Sequence, residues 1–348
     1  MYEIFILILS IPLLNSAASL LPITIARLGW VNFGGSGLTS VLTLGLVYNI
    51  STNGQIRAGM FYVDELSAVL LLVVGTLSFT ATLFSLSYIE RELTGGHLTA
   101  PMVSRYYVLL QLFIFTMLLV LFAENLGLIW VAVEATTLAS ALLVAFYFNR
   151  PALEAAWKYV MVCTVGICLA LLGTILLYYT QVNAVGGGQH ALSWLALQEK
   201  AALLDPAAVK LAFVFLLAGY GTKIGLAPMH TWLPDAHSQA PSPISGLLSG
   251  ALLSCAFYAL IRNTIIIQGA LGAAFVQQFM VVFGILSVAL SIPFVLVQHD
   301  VKRLLAYSSV EHMGLISLGL GIGTPLAVYG ALLHVINHAL AKSALFYL

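Results

Sequence analysis

Eleven apolar runs, each close to the ~20 residues an α-helix needs to cross a ~30 Å hydrocarbon core, follow one another through these 348 residues. They lie at about 2–26, 30–49, 64–88, 105–122, 125–148, 152–180, 207–227, 243–267, 273–297, 303–322 and 325–348. In hydrocarbon every backbone polar group has to be paired within the chain, so runs of this length specify helices. Composition agrees: 61% of residues are hydrophobic and 7% charged, against roughly 25% charged in a soluble domain. No soluble domain or linker interrupts the runs, which predicts one all-α, polytopic membrane domain over 1–348. Thirteen basic and thirteen acidic residues cancel, so the charge balance implies no nucleic-acid partner.

The chain opens Met1-Tyr2-Glu3, without the basic n-region or the small-residue cleavage site of a signal peptide, so the first run reads as a membrane helix. With the N-terminus outside, the inner ends carry Arg27, Arg91, Arg105, Arg150, Lys158, Lys302 and Arg303. The outer ends then carry Arg57, Lys200, Lys210 and Arg262, an asymmetry that favours this orientation. The longest connections are a hairpin-like Ser51–Asp64 segment and the Gln181–Pro206 loop with its Gly186-Gly187-Gly188 run. Cys163, Cys168 and Cys255 sit inside apolar runs without metal-ligand spacing and read as small packing residues. Leu348 ends an apolar run without a polar tail, and the expectation is that further helices follow it.

The stretch Gly219–Pro243 is chemically the most unusual. It sets Lys223 among Gly219, Gly221, Gly225 and Pro228, at the end of an apolar run. A lysine at membrane depth costs about 2.5–3.5 kcal/mol on insertion scales. Irregular backbone at that depth is tolerated only where protein or a water-filled cavity covers it. A charge at a helix break marks a candidate ion site, with Gly221, Gly225 and Pro228 as the breakers. Its natural partner is Glu134, ten residues from Glu124 and sixteen from Arg150 and so out of reach of either surface. Glu134 is either a protonated packing residue or half of an ion pair on a proton path. At about 4 Å and an effective dielectric near 20 the pair is worth about 4 kcal/mol, and separating the two releases the lysine's proton.

Other ionisable residues extend this picture. Lys158 lies one or two turns inside its helix, as a proton relay or as an interfacial anchor. The tenth run holds Glu311 and His312 beyond the interfacial Lys302-Arg303, and histidine can pass a proton near neutral pH. His334, His338 and Lys342 step by four residues along the last run, which keeps them on one side of a helix. That stripe is either a proton wire or interhelical hydrogen-bond glue. His230, Asp235 and His237 could be mistaken for a zinc site, but Pro234 fixes a turn and no fourth ligand or cysteine is near. Phosphate loops, dinucleotide fingerprints, nucleophile elbows and iron–sulfur or nickel cysteine clusters are absent from the sequence, so no cofactor is expected in this chain and no redox chemistry of its own.

Three stretches resemble a known superfamily. Lys223 with Pro228-Met-His-Thr-Trp-Leu-Pro-Asp-Ala-His-Ser-Gln-Ala-Pro, Asp300-Val-Lys-Arg-Leu-Leu-Ala-Tyr-Ser-Ser-Val-Glu-His-Met-Gly, and Asn337-His-Ala-Leu-Ala-Lys342 are similar to the antiporter-like membrane subunits of respiratory complex I, Mrp antiporters and group 4 membrane-bound hydrogenases. Glu134-Ala-Thr-Thr-Leu-Ala-Ser, Leu153-Glu-Ala-Ala-Trp-Lys-Tyr and Ala240-Pro-Ser-Pro-Ile-Ser look most like hydrogenase-4 component F, of the formate hydrogenlyase type. The resemblance covers nearly the whole chain. It implies about fourteen helices in full-length members, with inverted five-helix repeats meeting at broken helices, a general transporter pattern. On that map helices 1–3 occupy about 1–90, a first repeat of helices 4–8 about 105–267, and an incomplete second repeat of helices 9–11 about 273–348. Glu134 and Lys223 become the coupling pair of helices 5 and 7, and Lys342 the helix 11 lysine of the central hydrophilic axis.

One position departs from the pattern: where pumping members carry a lysine or histidine on helix 8, this chain has Ser254, which can hold a water but not a charge. Tyr258 or water is then expected to carry the wire onward. The resemblance implies a subunit that translocates protons or sodium in a membrane-bound hydrogenase or complex I-like pump of the cell inner membrane. Its implied proton path is Glu134, Lys223, Lys158, His230, His237, Tyr258, Glu311, His312, His334, His338 and Lys342. Its implied partners are other membrane subunits, a peripheral nickel–iron hydrogenase and iron–sulfur arm, and lipids. The alternatives are a subunit of a Mrp-type cation/proton antiporter or of an inorganic-carbon uptake system, and a non-conducting membrane scaffold.

Overall fold

The computed structural model describes residues 2–186 and 191–348, so Gly187 and Gly188 of the long connection lie outside the described residues. The elements in order are α1 (Tyr2–Ala18), α2 (Ile25–Asn53), β1 (Ile56–Ala58), β2 (Phe61–Val63), α3 (Glu65–Thr94), α4 (Ala100–Phe122), α5 (Leu126–Val144) and α6 (Arg150–Val185). They continue with α7 (Trp194–Glu199), α8 (Pro206–Ile224), α9 (Trp232–Gln239), α10 (Ser242–Leu247), α11 (Leu253–Leu271), α12 (Ala273–Val297), α13 (Val301–Ile322) and α14 (Pro325–Tyr347). A π-helical turn, Leu248–Leu252, joins α10 to α11 into one rod.

The long helices α3, α5, α6, α8, α13 and α14 start where the sequence offers a side-chain oxygen to the first free amides. The Asp64 carboxylate accepts from Ser67 N at 3.0 Å, Asn149 from Ala152 N at 2.8 Å, and Asp300 from Arg303 N at 3.1 Å. Asn125, Asp205 and Thr324 do the same for α5, α8 and α14. The Ser51–Asp64 segment divides between the end of α2 and an antiparallel hairpin that pairs Ile56 with Val63 and Ala58 with Phe61.

Two expectations about the spans are corrected. The first run does not continue to residue 26: α1 stops at Ala18 and α2 begins at Ile25, because Pro22 has no N–H and its ring disfavours a helical Leu21. The eighth span is not a uniform α-helix, since it contains the π-helical turn.

Among the described residues, eight helical stretches, Ser242–Leu271 counted as one, are long and apolar enough to cross a membrane. Tyr2–Ala18 is shorter, and α13 and α14 are made more polar by Glu311, His312, His334, His338 and Lys342. Trp30, Val41, Leu138, Trp157 and Leu296 present apolar surface outward, while serines and threonines such as Ser78, Thr137, Ser140 and Ser249 are buried between helices. Lipid tails are as apolar as leucine, so helix association rests on close packing and interhelical hydrogen bonds. The α6–α8 contact shows the first: a Cβ at Gly219 would lie 2.5 Å from Ala170 N and 2.6 Å from Gly166 O. The protein is a multi-pass, all-α membrane protein. Within it α9 lies against α6 on one side and α13 on the other, and α10 contacts α3 and α14.

Candidate functional site

Helix α8 ends one residue after Lys223, and the ending is built from sequence. Gly225 takes a left-handed conformation (φ 82°, ψ 29°), and its N–H bonds back to Gly221 O at 3.0 Å. The chain then turns through Leu226–Thr231 before α9 resumes at Trp232. Gly225 and Pro228 therefore stand at the break, as expected. Gly221 does not: it is still helical, and its role is spatial, because a Cβ there would meet Met229 Cε at 3.0 Å.

Lys223 is wholly buried, 0% exposed. Its Nζ donates to Thr137 Oγ1 at 2.8 Å and to Tyr159 Oη at 2.6 Å, and lies 4.7 Å from the centre of the Tyr159 ring. Glu134 is half-buried one turn from Thr137 on α5. Its Oε2 accepts from Thr137 Oγ1 at 3.2 Å and its Oε1 from Thr164 Oγ1 at 2.9 Å. The expected direct contact at about 4 Å is thus replaced by a relay: the Thr137 hydroxyl takes a hydrogen bond from the lysine and gives one to the carboxylate. A hydroxyl that accepts on one side and donates on the other can pass a proton from the ammonium to the carboxylate, leaving both neutral, without either side chain having to move. Tyr159 is fixed in turn by Ser140 Oγ at 2.7 Å and by Trp232, whose ring lies 4.6 Å away and whose Nε1–H donates to Thr222 O at 2.8 Å.

Thr137, Tyr159, Thr164 and Trp232 were not singled out from sequence. Tyr159 looks like an ordinary apolar-run residue there, and Trp232 like an aromatic of the polar turn that follows the break. The usable signal was helical spacing, since Thr137 follows Glu134 by three residues and shares its face.

Lys158 lies in a half-exposed set of ion pairs, where an interfacial anchor would stand. It is 48% exposed and pairs with Glu154 at 2.7 Å and Asp235 at 3.1 Å, and Asp235 also binds Arg303 Nη2 at 2.6 Å. Asp235 is thereby committed to cations, while its neighbours turn inward. His237 is 0% exposed and stacks on Phe346 at 5.1 Å, with neither ring nitrogen partnered among the described residues. His230 is also buried, 6.3 Å from the Tyr307 ring.

A second cluster forms where α13 meets α14. His312 Nδ1 is 2.9 Å from His334 Nε2, and the His338 ring lies 5.2 Å from His312. His338 is buried with both nitrogens unpartnered among the described residues. Lys342 is buried one turn further on, its Nζ donating to Leu305 O at 3.2 Å. Glu311 is half-buried beside this group. The i, i+4, i+8 spacing does bring the stripe together, and His312 joins it.

Tyr258 is not on a line between these clusters. Its hydroxyl lies 3.1 Å from Ser67 Oγ and donates to Leu121 O at 3.3 Å, beside Arg262. Arg262, 2% exposed, makes a bidentate pair with Asp64 at 2.7 and 2.6 Å and sits over Trp194 at 4.5 Å. Tyr258 belongs to that lock because it is one helical turn from Arg262 on α11. The Ser254 hydroxyl bonds to Gly250 O at 2.7 Å in its own helix.

Comparison with known proteins identifies the family. Residues 123–348 match the transmembrane family described as NADH:quinone oxidoreductase/Mrp antiporter. A hydrogenase-4 component F homolog of Methylacidiphilum infernorum is 42% identical over 318 residues, which is 91% of this chain and 66% of that protein. NADH-quinone oxidoreductase subunit N of Desulforudis audaxviator is 38% identical over 224 residues, 63% of this chain and 42% of that one. The chain therefore spans less than two thirds of the length of these relatives. A chain of the membrane-bound sulfane sulfur reductase, an archaeal respiratory membrane complex, shares the fold with a TM-score of 0.82 at 22% identity, over 99% of this chain and 70% of its own length. A buried lysine at a helix break, tied to a membrane carboxylate, thus occurs in a chain that belongs to the NADH:quinone oxidoreductase/Mrp antiporter transmembrane family.

Proposed function

We propose that this chain is a cation-translocating membrane subunit, moving protons or sodium when a partner oxidoreductase of the membrane-bound hydrogenase or complex I type turns over. The observation that carries this reading is the fully buried Lys223 Nζ, joined to Glu134 through the single hydroxyl of Thr137. A movement of α5 against α8 lengthens one hydrogen bond of that relay, and the lysine then delivers its proton instead of sharing it. The proton passes toward His338, His312, His334 and Lys342, with His230 and His237 on the approach from the α9 side. Each charge moved against 100 mV requires about 2.3 kcal/mol, which the partner's redox reaction supplies.

The names of the relatives support a multi-subunit setting with other membrane subunits. In this reading the partner is a peripheral nickel–iron and iron–sulfur arm and the site is the cell inner membrane, and the excess of basic residues at the inner ends supports an N-terminus outside. The positions of Lys223 and of the α13–α14 histidines support a division into an N-terminal three-helix part, a first repeat and the start of a second. The test is Lys223→Ala in the assembled complex in membrane vesicles: redox turnover continues and ion translocation disappears. Unchanged translocation refutes the reading.

One observation favours a second reading, a non-conducting scaffold. Ser254 bonds to its own helix and Tyr258 is held in the Arg262 lock, so neither reaches from Lys223 to the histidines. Wild-type vesicles that turn over without translocating establish the scaffold. Translocation that runs without any redox partner favours a Mrp-type antiporter or inorganic-carbon uptake subunit.

A further inference from the structure

We infer that Asp235 is a positioning residue through which α13 sets the geometry at Lys223; this rests on the translocation reading above. The short helix α9 follows directly on the break, and two of its residues, one turn apart, do different things. Trp232 is wholly buried, donates to Thr222 O at 2.8 Å beside Lys223, and packs at a tilt against Tyr159, which accepts from Lys223 Nζ at 2.6 Å. Asp235, one turn further on, reaches a polar cleft of about 80 Å³ lined by Pro151, Glu154, Lys158, Gln239 and Arg303. There Oδ1 accepts from Arg303 of α13 at 2.6 Å and Oδ2 from Lys158 of α6 at 3.1 Å.

The attachment to α6 is doubled. Lys158 holds Asp235 and its neighbour Tyr159 holds Trp232, so consecutive residues of α6 grip successive turns of α9. The attachment to α13 is reinforced as well: Lys302, next to Arg303, donates to Ala240 O at 2.9 Å at the end of α9. A displacement of α13 is therefore transmitted by Arg303 and Lys302 to α9, and by Trp232 to the Tyr159 ring and hydroxyl. That hydroxyl is one of the two acceptors of the lysine. The carboxylate touches no transferred ion; its part is to keep α9 moving as one body with α13.

Half-exposed ion pairs add little to stability, so a neutral isostere leaves the fold in place. The experiment compares Asp235→Asn, Asp235→Glu and Lys223→Ala in the assembled complex in membrane vesicles, each at equal amounts of incorporated chain. Ions translocated per electron are read alongside redox turnover. The expected result is that Asp235→Asn lowers translocation by about 10²-fold, the penalty for misplacing a reacting group by about 1 Å, while turnover continues. Asp235→Glu restores most of it. If Asp235→Asn translocates like wild type while Lys223→Ala does not, the positioning role is overturned and the proposed function stands. If Asp235→Glu fails to restore what Asp235→Asn removes, the clamp is likewise overturned. If Lys223→Ala translocates normally, both fall.

Discussion

Arg262→Ala is the substitution whose cost follows most directly from the structure. Arg262 is 2% exposed and Asp64 13%, and their bidentate contacts of 2.7 and 2.6 Å are joined by Ser67 Oγ at 2.9 Å. The guanidinium also lies 4.5 Å from the Trp194 ring, 4.8 Å from Tyr258 and 5.4 Å from Tyr62. Removing it strands a buried carboxylate without its cation, which destabilises by about 3–5 kcal/mol. Replacing both partners by apolar groups, Arg262→Met with Asp64→Leu, removes both desolvated charges and recovers most of that loss. The Trp194 indole bond survives in either variant, because its acceptor is the backbone carbonyl of Arg262.

The assay is reversible unfolding in detergent followed by tryptophan fluorescence, repeated across pH. Burial pushes the Asp64 carboxyl up, but the Arg262 and Ser67 hydrogen bonds outweigh it and hold the group below its ordinary value. A depressed acid stabilises fully above its unfolded pKa of about 3.9 and stops doing so as pH falls through the folded value. The wild type's advantage over Arg262→Ala is therefore complete at neutral pH and shrinks in acid below about pH 4. A loss under about 1 kcal/mol, the level of an exposed ion pair, refutes the account of a buried lock.

Thr137→Val keeps the shape of the side chain and removes the hydroxyl between Lys223 and Glu134; leaving such a donor unsatisfied costs about 1–3 kcal/mol, so translocation in vesicles falls by about tenfold or more. Thr137→Ser retains activity, and an active valine variant shows that the hydroxyl does not link the pair. Gly250→Ala places a Cβ 2.5 Å from Leu77 Cδ1 and 2.9 Å from the Ala339 carbonyl, and overpacking of this kind costs about 1–3 kcal/mol in a thermal-shift measurement. A neutral result there means that α14 can retreat from the π-helical turn.

The architecture was readable because its determinants are one-dimensional. Length and hydropathy locate eleven spans, and buried charges announce themselves wherever apolar surroundings make them expensive. Lys223, Glu134 and the His334–His338–Lys342 stripe were legible for that reason. What the sequence concealed were the neutral partners. Thr137 and Tyr159 are unremarkable in apolar runs and Trp232 in the turn between two of them, and only the packing of α5, α6 and α9 around the end of α8 turns them into hydrogen-bond partners or supports for Lys223. Lys158 and Asp235 were visible as charges, yet their pairing joins residues on two elements separated by the whole of α8. Spacing along one helix cannot report such a pairing. Tyr258 packs beside Arg262 for a related reason: its position on α11 is one turn from that residue, whose demand for a buried counter-charge fixes the local structure.

Ser254, at the position where the resemblance implies a base, lies just beyond a change in backbone. A π-helical turn contains an extra residue relative to an α-turn, so it rotates everything on one side of it with respect to the other. Here the turn spans Leu248–Leu252. Just beyond it Ser254 faces back onto Gly250 O, while Ser249 within it meets Ser309 of α13 with 2.8 Å between hydroxyl oxygens. Gly250 lies against Ala339, the residue after His338. The polar face of the α10–α11 rod is thereby carried from the position of Ser254 toward α13 and α14, where the histidine cluster lies. A hydroxyl pair stores no charge, but it can accept and donate at once, as Thr137 does beside Lys223. The geometry thus offers Ser249 and Ser309 as the polar contact from this rod to the second cluster. Any path that leaves Lys223 for His338 has to use such neutral relays where the resemblance leads one to expect a base.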